Sequence, residues 1–116
     1  MPLRLRENNL MCQVIRYGNF IETAGQVASK PDAPLEDQAK QALDSISRLL
    51  EESGASLDDL VRVQVWLADI NQFDQFNVVY QEWLQDRPKP VRACVESSLV
   101  TGGYLVEIQA FAYIDD

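Results

Sequence analysis

Residues 60–70 read LVRVQVWLADI. Val61, Val63, Val65 and Leu67 alternate with Arg62, Gln64, Trp66 and Ala68. Successive side chains leave a strand on opposite sides, so this pattern predicts a strand with one firmly buried face and one mixed face. Its flanks have a different period. Upstream, Leu35, Ala39, Ala42, Leu43, Ile46, Leu49 and Leu50 recur at helical spacing, and Glu36, Asp37, Lys40, Gln41, Asp44 and Ser47 take the other face. Gly54 is a helix stop, and Ser56 is a capping residue before Leu57. Downstream, Asn71 with Asp74 reads as the cap of a second helix in NQFDQFNVVYQEWLQD. Phe73, Phe76, Tyr80, Trp83 and Leu84 form its apolar stripe, and Pro88 and Pro90 close it.

Working outward, CQVIRYGNFIETAGQVA holds the turn signal Gly18–Asn19 between two apolar-rich runs. Two strands, roughly 11–16 and 20–28, are expected there as a hairpin, with a short arm at 3–6. Loops are marked by Pro31 and Pro34 and by Gly102–Gly103. VRACVESS and YLVEIQAFAYI are the last two strands. The order β-β-α-β-α-β-β predicts an α/β (α+β) fold, a two-layer sandwich of a mixed sheet with two helices on one face. The first helix is a crossover, so the strands on either side of it should run parallel. In the last strand Val106, Ile108, Ala110 and Ala112 share one side, and Leu105, Glu107, Gln109, Phe111 and Tyr113 share the other. Both sides are largely apolar, yet the helices suffice for one. The second face is therefore expected to pack against another subunit.

A chain of 116 residues fits one domain spanning 1–116. Its net charge is −8, and its ten basic residues form no cluster. That argues against nucleic acid and anionic membranes as partners, because both need a basic face. No run approaches the ~18 apolar residues of a membrane span, and MPLRLRENNL has no signal-peptide core, so a cytoplasmic location is expected. The chain has no histidine. Histidine acid–base catalysis, a Ser-His or Cys-His couple and a histidine metal ligand are all excluded. Cys12 and Cys94 lie far apart without a second pair, which argues against zinc.

Residues 89–98, KPVRACVESS, place Arg92 at the head of a strand. Alternation puts Arg92, Cys94 and Glu96 on one side, and Glu107 and Gln109 on one side of the last strand. A guanidinium at the root of a sheet costs free energy unless an anion meets it. That anion is either a carboxylate of this chain or a ligand. A hairpin about Thr101–Gly102 would set Arg92 near Phe111 and Glu107 near Glu96. Arg92 and Glu107 would then stand about four residues apart, roughly 13 Å, too far for a direct salt bridge.

Five pieces in order, GNFIETAGQ, GASLDDLVRVQVWLADINQF, FNVVYQEW, PVRACVE and LVEIQAFA, cover nearly the whole chain. Together they resemble the RidA/YjgF family of enamine/imine deaminases. The resemblance implies a chorismate-mutase-like subunit, a homotrimer around a barrel of sheets, and sites in clefts between subunits. It implies hydrolysis of 2-aminoacrylate-like enamino and imino acids to 2-keto acids and ammonia, with no cofactor and no metal. Arg92 matches the family arginine that binds the substrate carboxylate, a job suited to a bidentate guanidinium. Glu107 matches the glutamate that positions or activates the attacking water. Cys94 matches a pocket-lining cysteine; with no histidine base it is not read as a nucleophile. Asn77 matches an asparagine of the second helix, where a plain helix-face polar role is an equal reading. Gly25 belongs to AGQ, which matches a family SGQ turn beside the site. The chain departs from the pattern at three places. Met11 stands where deaminase members carry the tyrosine of a GPYSQ-like stretch, and Ala24 and Ala93 replace serines. These losses leave open a non-catalytic trimer that binds small carboxylates such as 2-keto acids.

Overall fold

The computed structural model describes residues 1–115. The described residues form β1 (Leu3–Leu5), β2 (Val14–Tyr17), β3 (Phe20–Thr23), α1 (Leu35–Glu52), β4 (Leu60–Leu67), α2 (Phe73–Leu84), β5 (Val91–Glu96) and β6 (Val106–Tyr113). All six strands join one sheet in the order β1-β2-β3-β6-β4-β5. Both helices cover one face, and the molecule is only 19 Å through its thinnest axis, as two layers require. No helix among the described residues is long and apolar enough to cross a membrane.

The inner face is built from the alternating positions of the central strands. Val63, Val65 and Leu67 of β4 and Val106, Ile108, Ala110 and Ala112 of β6 are buried against Leu35, Ala39, Ala42, Leu43, Ile46, Leu49 and Leu50 of α1. From α2, Phe76, Val79 and Leu84 are buried, with Phe73, Tyr80 and Trp83 packed at the margin. The outer face has no helix over it. There Tyr17 stacks on Phe20 and Phe20 meets Tyr113 edge-on, with 41%, 51% and 39% of their surface exposed, which is unusual for three adjacent rings.

The expected parallel relation across α1 holds, but indirectly. β6 lies between β3 and β4 and runs antiparallel to both. β4 and β5, joined through α2, are parallel neighbours. The last two strands are therefore not a hairpin, because β4 separates them. Their inner positions explain the order. β6 presents four apolar side chains and needs cover on both flanks. β5 presents Arg92, Cys94 and Glu96, which suit an edge.

The short arm expected at 3–6 is present as β1, a sixth strand antiparallel to β2 from Leu3↔Arg16 to Leu5↔Val14. Three local expectations need correction. The strand expected over 11–16 begins at Val14. The strand expected over 20–28 stops at Thr23, and its partner β6 is met again only at the Gln26↔Ile108 bridge. Val61 is exposed, not buried. A bulge between Leu60 and Arg62 hands its inward place to Leu60, which is 6% exposed.

The helix signals fared better. α1 ends at Glu52, ahead of Gly54, whose φ of +95° favours glycine. Ser56 and Asp59 form a reciprocal capping box on a one-turn helix leading into β4. The cap before α2 is Asp69, not Asn71. Its carboxylate accepts from Asn71 N–H at the turn Ile70–Gln72, while Asp74 sits in the first turn of α2, where a negative charge is favourable.

Gln38, fully buried on α1, ties the two loops that lead to the helix and to β6. Its Nε2 donates to the carbonyls of Pro31, Ala33 and Gly103, and its Oε1 accepts from Leu105 N–H. Gln38→Leu removes the partner of all four of these backbone groups at once. Urea unfolding is expected to show a loss of about 2–3 kcal/mol.

Candidate functional site

Arg92 is half-buried on the inner side of the edge strand, opposite Val63 of β4. α2 crosses above it and offers Phe73, Asn77 and Tyr80, which share one helix face at i, i+4 and i+7. Nη1 of Arg92 donates to Asn77 Oδ1 at 2.7 Å. The guanidinium carbon lies 4.8 Å from the centre of the Tyr80 ring and 5.5 Å from that of Phe73. These are cation–π distances. Among the described residues no carboxylate pairs with Arg92; the ion pairs are Arg6–Glu52 and Arg87–Asp58, both on the surface. Glu96, on the same side of β5, is engaged elsewhere and accepts from Ile70 N–H at 2.9 Å. The arginine thus keeps its positive charge uncompensated, with most of its five N–H donors unspent.

Cys94 is two residues further along the same side of β5 and is half-buried. Burial pushes its thiol up, and the Arg92 charge opposes that only in part. A thiol held protonated is a poor nucleophile. Burial also pushes the Tyr80 phenol up against the pull of Arg92. The Tyr80 hydroxyl is buried and has no hydrogen-bond partner.

The second cluster lies on the other face. Glu107 stands opposite Trp66 of β4, whereas Arg92 stands opposite Val63. Val63 and Trp66 are three residues apart, an odd number, so their side chains point to opposite faces. Glu107 packs over Gly25, in the segment where β3 leaves the sheet. A Cβ on Gly25 would lie 1.9 Å from Glu107 Oε2. The glycine is needed for space, since its φ is not among the positive ones. Hydrogen bonds from Ala24 N–H to Gln13 O and from Gln26 Nε2 to Gln13 Oε1 hold this turn in place. Met11, two residues before Gln13, is 49% exposed, and Ala93 is exposed on the outer side of β5.

Of the expected site residues, Arg92, Asn77 and Cys94 therefore come together on the inner face, and Glu107 and Gly25 on the outer. The absence of an Arg92–Glu107 salt bridge was expected from a hairpin that does not exist. The true cause is that the two are offset along the strands by roughly 10 Å, separated by β4 and placed on opposite faces. Tyr80 and Phe73 were legible only as an apolar stripe. The signal for their second role was the 73/77/80 spacing opposite a cationic strand position.

Gly25→Ala is expected to displace the Glu107 carboxylate, the flexible end of the contact, while leaving the unfolding midpoint nearly unchanged. A crystal structure of the variant checks this by the position of Glu107.

The family model described as Endoribonuclease L-PSP matches residues 4–114. A RutC family protein of Pyrococcus abyssi is 40% identical over 107 residues, covering 87% of this chain and 84% of the relative. The 2-iminobutanoate/2-iminopropanoate deaminase of Escherichia coli is 31% identical over 107 residues, covering 86% of this chain and 84% of the relative. The crystal structure of a YjgF family member from Neisseria meningitidis superposes with a TM-score of 0.91 over 100% of this chain and 97% of that one, a likeness of fold at 23% identity. With its mixed sheet and two helices in the chorismate-mutase-like arrangement, the chain belongs to the RidA/YjgF family.

Proposed function

We propose that the protein hydrolyses reactive 2-imino and 2-enamino acids to 2-keto acids and ammonia. The observation that carries this reading is Arg92: a half-buried cation, oriented by a neutral oxygen and two rings, with no carboxylate partner among the described residues. A small substrate carboxylate is the natural bidentate partner for its free N–H groups. Cys94 and Asn77 line that end of the site. The relative from Escherichia coli that is named as an imine deaminase supports the same chemistry.

In this reading Glu107 holds a water against C2 of the iminium. The water oxygen bonds to C2 as the C=N π electrons move to nitrogen, and Glu107 takes the water proton. That proton then passes to the amine. Glu107 takes the proton of the C2 hydroxyl as the C–N bond breaks and the C2 carbonyl forms, and the proton goes on to the departing ammonia, which leaves as ammonium. An enamino acid joins the same path once its C3 carbon takes a proton from water to give the iminium. Atoms and charge balance without an oxidant or a cofactor. The carboxylate here serves as a general base and acid.

Arg92 and Glu107 of one chain are on opposite faces, so a single small substrate reaches both only if they come from different subunits. The reading therefore includes an oligomer, with the outer face of one subunit set against the edge strand of the next. A homotrimer suits it. The exposed Tyr17, Phe20 and Tyr113 cluster and the exposed Val91 and Val95 support such burial. The family model's description names an endoribonuclease. A net charge of −8 and the lack of histidine fit imine hydrolysis better than RNA cleavage.

A second reading, binding of small 2-keto acids without turnover, is favoured by Met11, Ala24 and Ala93, which are apolar where deaminase members carry hydroxyl groups. The two separate in one assay. Imino acids generated in situ by an amino-acid oxidase should decay faster with the protein than in buffer, and Arg92→Ala should abolish the acceleration more completely than Met11→Ala. Calorimetric binding of pyruvate with no acceleration, for both small and bulky imino acids, would favour the binding module.

A further inference from the structure

We propose that Tyr80 is a positioning residue for the Arg92 anchor, its ring fixing the guanidinium plane in concert with Phe73. The inference rests on Arg92 being the carboxylate anchor proposed above. A free arginine side chain loses rotamer entropy when it is held for a ligand. Three kinds of neighbour could hold it. A carboxylate would neutralise the charge and occupy the N–H edge the ligand needs. A set of neutral oxygens would consume the same donors. Aromatic faces do neither, because they meet the flat face of the guanidinium and leave its edge free.

The structure uses the third device almost alone. One oxygen, Asn77 Oδ1, takes one N–H group. Two ring centres lie 4.8 and 5.5 Å from the guanidinium carbon. Tyr80 is itself fixed by ring contacts to Phe76 and Trp83, at 5.8 Å each. Trp83 is pinned in turn, donating its indole N–H to Ser47 Oγ on α1 at 2.9 Å. A chain of packed rings thus runs from the rigid helix pair to the arginine. The buried Tyr80 hydroxyl makes no hydrogen bond, so the ring and not the hydroxyl does the positioning.

The test titrates pyruvate calorimetrically into the wild-type protein, Arg92→Ala, Tyr80→Leu and Tyr80→Phe, and follows the Arg92 Nε–H resonance. The wild type should show that proton shifted upfield by the ring current. Tyr80→Leu should lose the shift and bind pyruvate about tenfold more weakly, equivalent to about 1.4 kcal/mol. In turnover it should raise KM more than it lowers kcat. Tyr80→Phe should restore the shift and the affinity to within about twofold, and its unfolding midpoint should rise because an unpaired buried hydroxyl is gone. Unchanged affinity in Tyr80→Leu with binding abolished in Arg92→Ala would overturn the positioning role and keep the anchor. Unchanged affinity in Arg92→Ala would overturn the anchor itself. Loss in Tyr80→Phe equal to that in Tyr80→Leu would assign the work to the hydroxyl and overturn the proposal. If Tyr80→Leu fails to fold, Phe73→Leu carries the same readouts, and an unshifted Arg92 proton in the wild type overturns the proposal outright.

Discussion

The two-residue period of the central strands is the constraint on which the rest of this molecule depends. Because β6 places Val106, Ile108, Ala110 and Ala112 on one side, the helices must cover that side, and Glu107, Gln109 and Phe111 must face away. The register through β4 then fixes the side of every residue on β5. Arg92 shares a face with Val63 and comes under α2. Glu107 shares a face with Trp66 and lies on the face without helices, half-buried over Gly25. No rotamer change can reverse this, since a side chain changes face only if the register slips by one residue, which would expose the core.

The same constraint gives the chain its unfinished character. A sheet of six strands has one face closed by helices and one face carrying exposed rings. Its edge strand holds a cation whose charge no carboxylate among the described residues cancels. Leaving a half-buried arginine without a carboxylate sacrifices stability, which aromatic faces and one amide oxygen recover in part. Such a sacrifice is characteristic of sites whose missing partner is a ligand. In the proposed assembly the open face of one subunit and the open charge of its neighbour complete each other.

Much of this was legible in the sequence. The helices were readable because a 3.6-residue period over many residues has no competing explanation, and Gly54 and Ser56 marked their punctuation. The inner faces of β4 and β6 were readable from alternation. Strand order was not, because β5 and β6 both alternate and lie close in sequence. Only the polarity of Arg92, Cys94 and Glu96 hinted that β5 belongs at the edge. The bulge at Val61 and the break after Thr23 were hidden because a single added residue leaves no mark on composition. That break is what brings Gly25 under Glu107. Arg92, Cys94 and Glu107 stood out from alternation and charge, while their roles, and Asn77 and Gly25, came from the family resemblance. Their division between two faces needed the register, and the Tyr80–Phe73 contacts needed the placement of α2 over β5.

The central claim is that the open charge of Arg92 exists for a carboxylate, completed by Glu107 from a second subunit. The most direct measurement is a crystal structure of the protein soaked with pyruvate. The expected result is a carboxylate meeting the free N–H groups of Arg92 in two parallel hydrogen bonds, with Glu107 of a neighbouring subunit near the keto carbon. Pyruvate bound away from Arg92, or Arg92 filled by a carboxylate side chain of an adjoining subunit, would contradict it.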